Sequence, residues 1–159
     1  MLGQASSVRD AVVQFLAERD WTYEEHESFL ALEVVAGNGE WPVLFYFPSG
    51  TEQLVVHSLV PVEVPDEQVA NVVEFVTRAN FGLAVGNFEI DLTEGPGYGE
   101  LRFKTSLDAE GSGLVVPAVR NLVEANLYVL DRYLPGLVEA ARGRPAAACI
   151  AEIEGSDAN

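Results

Sequence analysis

Three runs rich in branched and aromatic residues, FLALEVV at 29–35, VLFYF at 43–47 and QLVVHSLV at 53–60, are joined through GNGE at 37–40 and PSGT at 48–51. Glycine, asparagine, proline and serine are turn formers, and the runs have the composition of strands. Parallel neighbours need a crossover of about a dozen residues or more, so joints this short favour antiparallel pairing.

The rest of the chain supplies helices and a second hairpin. Ser7 with Asp10 forms a capping box for a first helix, in which Val8, Ala11, Val12, Phe15 and Leu16 fall on one face; its end is expected near Asp20. Pro65 opens a second helix, with Val69, Val72, Val73 and Val76 as its apolar stripe and Gly82 as a left-handed stop. A third helix is expected from about Pro117 to Leu134, broken or bent at Pro135-Gly136, with LVEAARG and PAAACIAEIE as two short helical pieces after it. The order α-β-β-β-α-β-β-α plus C-terminal helices lacks regular βαβ alternation. It predicts an α+β fold: an antiparallel five-stranded sheet with helices packed on it. No repeat or linker divides the chain, and residues 1–159 read as a single domain with its core at about 8–154.

The second hairpin lies in FEIDLTEGPGYGELRFKTSLD at 88–108. A turn centred between Pro96 and Gly97 sets Leu92 opposite Leu101 and Ile90 opposite Phe103 on the core face. On the other face it sets Asp91 opposite Arg102 and Glu89 opposite Lys104. Opposed ion pairs account for two of the chain's few cations lying close together, on the solvated side of a sheet. The alternative role for that face is a polar or protein-binding surface with Arg102 as its anchor. The loop EGPGYGE leads into a strand rather than a helix N-terminus, and Glu94 and Glu100 flank it, so it is not a phosphate cradle.

The formal net charge of −16 from 25 acidic and 9 basic residues disfavours nucleic acid and anionic membrane as partners. MLGQASSVRD has no signal-peptide pattern, and no window is apolar for long enough to span a bilayer; with a lone Cys149 in AAACIA, a cytoplasmic location is expected. His26 in EEHES and His57 in a strand form no metal-ligand spacing, and EEHES reads as a solvated acidic loop. Ser112 in EGSGL lacks the G-x-S-x-G frame. No cofactor, metal or catalytic residue is assigned. The third helix is apolar on more than one face through Val119, Leu122, Val123, Leu127, Val129, Leu130, Tyr133 and Leu134, and so needs cover on two sides: the sheet, and either the terminal helices or a second subunit. Asn126 near that stripe reads as a hydrogen-bonded core residue.

Taken together, FEIDLTEGPGYGELRFKTSLD, NLVEANLYVLDRYLPGL, WPVLFYF, VVEFVTRANFGLAVGNFEI and the ending CIAEIEG resemble the YbjN-like family of bacterial proteins, labelled sensory transduction regulators. The resemblance runs from about Val8 to Glu154 and is strongest after Asn80. It implies a fold similar to type III secretion chaperones, whose relatives dimerise and bind segments of other proteins. It transfers no catalytic motif.

The expected function is therefore a non-enzymatic protein-binding module, chaperone-like or regulatory. Its partner is another protein or peptide segment, with a homodimer as a further possibility. Candidate contact residues are Tyr98, Arg102, Tyr128 and Arg132. The alternative is a small-molecule sensor that holds a ligand between sheet and helices, in a pocket lined by Asn80, Asn126 and aromatic residues.

Overall fold

The computed structural model describes residues 7–93, 100–113 and 115–155. Its elements are α1 (Val8–Glu18), β1 (Glu24–Glu25), β2 (Phe29–Val35), β3 (Glu40–Tyr46), β4 (Gln53–Leu59), α2 (Val69–Gly82), β5 (Asn87–Ile90), β6 (Leu101–Asp108), α3 (Val115–Ala141) and α4 (Ala146–Gly155). One antiparallel sheet runs in the order β1-β2-β3-β4-β6-β5. It has six strands rather than five, because Glu24–Glu25 of the acidic loop pairs with Ala31 and Leu30 as a short edge strand.

Side-chain alternation explains where the core sits. Leu30, Leu32 and Val34 of β2, Trp41, Val43 and Phe45 of β3, Leu54 and Val56 of β4, Leu101 and Phe103 of β6, and Phe88 of β5 are all buried. They share one face, and the helices cover it. Each such side chain contributes roughly 1.5–3 kcal/mol on burial. Their strand neighbours face the other way and are half-buried or exposed.

The helices start and stop for local reasons. At the start of α1 the Asp10 N–H donates to Ser7 Oγ at 3.1 Å, and the Ser7 hydroxyl donates back to Asp10 at 2.9 Å. At its end Asp20 takes φ 54°, Asp20 N–H bonds Ala17 O and Trp21 N–H bonds Leu16 O, a Schellman arrangement built on aspartate instead of glycine. Trp21 then meets Phe15 edge-on, with ring centroids 5.9 Å apart.

Two helix expectations need correction. The second helix begins with a 3₁₀ turn over Asp66–Gln68, and α2 itself starts at Val69. It stops without a left-handed glycine: Leu83 is extended, and the left-handed residue is Gly86, where any Cβ would meet the Lys104 carbonyl at 2.6 Å. Further along, α3 does not break at Pro135. It continues to Ala141 and absorbs the LVEAA segment, so only one short helix, α4, follows.

The continuity of α3 has a cause outside the helix. Pro135 has no N–H to give the Asp131 carbonyl one turn back, a defect that costs about 3 kcal/mol in an unsupported helix. The turn between β2 and β3 answers it. Asn38 Nδ2 donates to Asp131 O at 2.9 Å, while the Asn38 backbone N–H donates to Asp131 Oδ1 at 2.7 Å. Glycines make this approach possible: a Cβ at Gly39 would lie 2.8 Å from Leu134, and one at Gly37 would lie 3.2 Å from Asp131. The end of α3 and the start of α4 share another amide. Asn71 Nδ2 donates to Ala140 O and Arg144 O, and Ala146 N–H donates to Asn71 Oδ1.

The broad apolar surface of α3 is covered by β4 and β6 beneath it and by α1, α2 and α4 at its flanks. The covering element is thus a set of the chain's own helices. Its buried polar residue, Asn126, accepts from the Ser58 hydroxyl, which in turn accepts from Trp41 Nε1 at 3.1 Å. Asn126 Nδ2 lies within hydrogen-bond distance of Thr105 Oγ1 at 3.1 Å and Val56 O at 3.2 Å.

Replacing Asn38 by alanine should lower stability by about 1 kcal/mol in urea unfolding. In a Pro135→Ala background the restored N–H satisfies Asp131, and the same substitution should cost roughly half as much. Equal costs in both backgrounds would show that Asn38 does not serve the proline.

Candidate functional site on the open face of the sheet

All packed helices lie on one side, so the opposite face of the sheet meets solvent. Strand register fixes what it presents. One row across the sheet runs Ala31, Leu44, His57, Lys104, Asn87. A second runs Phe29, Tyr46, Val55, Ser106. Glu33 stands opposite Pro42, and Leu59 stands opposite Arg102, which is opposite Glu89. The face therefore has an apolar middle, a carboxylate side over β1 and β2, and a mixed ionic side over β6 and β5.

The ionic side is a triad rather than two independent pairs. Arg102 Nε donates to Glu89 Oε2 at 2.8 Å, Lys104 Nζ donates to Glu89 Oε1, and Arg102 also reaches Glu100 at 3.5 Å. The hairpin register is displaced by two residues from the sequence expectation: Glu89 opposes Arg102 and Ile90 opposes Leu101. An even displacement keeps every side chain on its expected face but changes its partner. Asp91 keeps a backbone bond to Glu100 O at 3.0 Å, but its carboxylate accepts from Thr93 N–H at 2.9 Å and Thr93 Oγ1 at 2.7 Å, a local turn that replaces the expected pairing with Arg102. Leu92, expected in the core, is exposed.

Two titrating groups on this face are perturbed. Burial works against a charged Glu89, but hydrogen bonds and charge from Lys104 and Arg102 outweigh it and bring the carboxyl down to about 2. His57 is lowered to about 4, first by burial and then by Arg102 and Lys104, with Glu89 pulling the other way. His57 is thus a neutral imidazole at neutral pH, set between Leu44 and Lys104.

The expected contact residues do not converge. Arg102 is on the open face. Tyr128 is exposed on α3, in the helical layer. Arg132 is also on α3, half-buried, with its guanidinium 5.5 Å from the Tyr133 ring and within 3.4 Å of Ile153 O. It borders a groove of about 240 Å³ between α3 and α4. Tyr98 lies outside the described residues. Sequence reasoning passed over Leu44, Tyr46, Val55 and Leu59, whose outward placement follows from strand alternation but looks like core composition when each run is read alone.

The amides expected to line a ligand pocket are engaged by the fold. Asn126 serves Ser58, Thr105 and Val56. Asn80 brackets Phe88, accepting its N–H at 2.7 Å and donating to its carbonyl at 3.0 Å. The nearby aromatics fill the space with one another: Phe88 meets Phe103 at 4.8 Å and Tyr133 at 5.8 Å, and Phe75 meets Tyr133 at 6.3 Å. Cys149 is buried beside Arg144 O, and burial raises its thiol pKa. Among the described residues no three His, Cys, Asp or Glu side chains are grouped to hold a metal ion, and no helix is long and apolar enough to cross a membrane.

An antiparallel sheet dressed with helices on one side and bare on the other defines the chain as an α+β protein. The chain belongs to the YbjN family, described as "Putative bacterial sensory transduction regulator", whose profile matches residues 9–139. Its fold is similar to that in the crystal structure of YbjN from E. coli, described as "a putative transcription regulator". The two share 14% identity with a TM-score of 0.61, over 83% of this chain and 90% of that one. No curated protein matches this sequence.

The perturbed pair predicts an acid-sensitive fold. Both folded-state values lie below the unfolded ones, so both contributions are present at neutral pH and lost on acidification. His57 loses its share between pH 6.5 and about 4, and Glu89 between pH 4.5 and about 2. Discounted for partial exposure, each is on the order of 1 kcal/mol. His57→Leu should flatten the urea stability profile in the upper window and leave the lower one, while Glu89→Gln should do the reverse.

Proposed function

We propose that this chain is a regulator that works by binding a second polypeptide on the open face of its sheet, without catalysing a reaction. The observation that supports this reading is the composition of that face. Half-buried Ala31, Pro42, Leu44, Val55 and Leu59 and exposed Tyr46 form an apolar strip between carboxylates on one side and the Glu89–Arg102–Lys104 triad on the other. A large apolar area rimmed by charges is what a protein contact surface looks like, and the rim selects partners through charge.

Arg102 is the contact residue that this reading keeps, held in a fixed orientation by Glu89. Tyr128 and Arg132 lie on the helical layer and have no part in it. The descriptions of the family and of its E. coli member as regulators agree with a binding role and name no reaction. The engaged amides of Asn80 and Asn126 speak against a ligand held between sheet and helices. The formal net charge of −16 disfavours nucleic acid and so supports a protein as the regulatory contact. We assign the contact to the cytoplasm.

A photoreactive residue at Tyr46, expressed in the native host, should cross-link to a discrete polypeptide, whereas the same group at Tyr128 should not. Leu44→Asp should reduce that adduct by about tenfold, a change equivalent to losing one buried contact, with the circular dichroism spectrum unchanged. An adduct at twice the chain's own mass would make the partner a second copy. Adducts formed equally at both positions, or at neither, would overturn the assignment to this face.

A further inference from the structure

The sheet has two edges, and the chain treats them differently. In β5 the outward backbone groups belong to Phe88 and Ile90, because Asp91, Glu89 and Asn87 pair toward β6. Asn80 reaches from α2 and takes both the N–H and the carbonyl of Phe88. Its amide does what a neighbouring strand would do, and that edge is closed at Phe88.

The other edge is open. Pairing between β1 and β2 covers only Glu24–Ala31 and Glu25–Leu30, continued by His26 N–H to Phe29 O. The β2–β3 hairpin closes at Ala36 N–H to Gly39 O, so the even residues of β2 bond toward β3 and the odd ones toward β1. Past Ala31 the odd residues Glu33 and Val35 therefore direct their N–H and carbonyl groups at an edge with no strand beside it among the described residues. Val35 is 79% exposed. Where β1 diverges, a groove of about 400 Å³ opens, lined by Tyr23, Glu24, Ala31, Glu33 and Pro42.

We infer, resting on the reading of this protein as a polypeptide-binding regulator, that its partner enters as an extended, lysine- or arginine-bearing segment that adds a strand to the free edge of β2 at Glu33 and Val35. Backbone groups at the edge supply sequence-independent attraction, and the groove receives alternate side chains. Charge sets the class. The Glu24 carboxylate has one ion pair among the described residues, with His26 at 3.8 Å, and Glu33 has none there, while Glu40 stands opposite Val35. A cationic side chain whose methylene stem crosses Ala31 and Pro42 fits both the apolar floor and the acidic walls. A second copy does not fit: edge-to-edge pairing of β2 with itself brings Glu33 and Glu24 toward their own counterparts, in a chain of net charge −16. The same repulsion keeps this edge from polymerising while leaving it available to a basic strand.

The test uses a short capped peptide alternating lysine and valine, with a glutamate–valine peptide as its charge-reversed control. Amide exchange of the full chain should show Glu33 and Val35 N–H groups protected by the lysine peptide alone. Val35→Pro removes an N–H aimed at the edge and none from the β3 ladder, a change that edge strands accept. It should weaken binding by about tenfold, and Glu24→Lys with Glu33→Lys should exchange the preference between the two peptides. Protection confined to Leu44, His57 and Lys104, or binding indifferent to Val35→Pro, would overturn strand addition while leaving the open face as the contact surface. Self-association of the chain that Val35→Pro abolishes would overturn it in favour of a second copy. No protection by either peptide, with a Tyr46 cross-link still formed, would refute the basic-strand assignment alone; absence of both would remove the binding function as well.

Discussion

The structure depends on one helix being held in one place. α3 crosses the sheet over β4 and β6 and is flanked by α1, α2 and α4, so every layer of the core touches it. Apolar packing alone would let such a helix slide by a turn at modest cost, since leucine and valine substitute for one another across its faces. Asn126 removes that freedom. Its amide is fully buried, and each of its bonds reaches a different point: Ser58 and Val56 in β4, Thr105 in β6, and Trp41 in β3 through Ser58. A displaced Asn126 would leave several buried polar groups without partners, each a loss of about 1–3 kcal/mol. One register of α3 therefore lies well below its neighbours. The second pin, Asn38 on Asp131, sits about one and a half turns further along and repairs the proline in the same stroke.

With the helices fixed to one side, the other side of the sheet becomes the free surface by default. The same amide chemistry that pins α3 also decides which sheet edge is free. Asn80 covers Phe88 of β5, and among the described residues no strand pairs with the outer edge of β2 beyond Ala31. Asparagine thus recurs as the device that satisfies backbone where secondary structure cannot: at a helix interrupted by proline, at a strand edge, and at the junction of α3 with α4 through Asn71. Among the described residues, the outward backbone groups of Glu33 and Val35 lie on an acidic edge beside an apolar face. The proposed polypeptide contact makes use of that edge and that face.

Much of this was legible in the chain. Alternation placed the strands, the capping box started α1, and two short turns favoured antiparallel pairing. The presence of opposed charges on the second hairpin was also readable, although their register was not. Cross-strand complementarity is nearly as good after a shift of two residues, and the local competition between Asp91 and Thr93 tips the balance. β1 was missed because two glutamates carry no strand signal; only the position of β2 beside them makes them a strand. The path of α3 through Pro135 was missed for a related reason. Proline is a reliable breaker when the helix must satisfy its own carbonyls, and here a loop distant in sequence does it instead. Tyr128 and Arg132 looked alike as polar or aromatic residues on one helix, yet neither shares a surface with Arg102.

By itself, then, the sequence determined the antiparallel α+β class, the dry and wet sides of each strand, a net charge of −16, and the likeness to the YbjN family, because periodicity, turn length and net charge are local or additive properties. Only the tertiary structure decided which carbonyls, edges and ions find partners. Those pairings join residues far apart in the chain, and their strength depends on distances that no local pattern encodes.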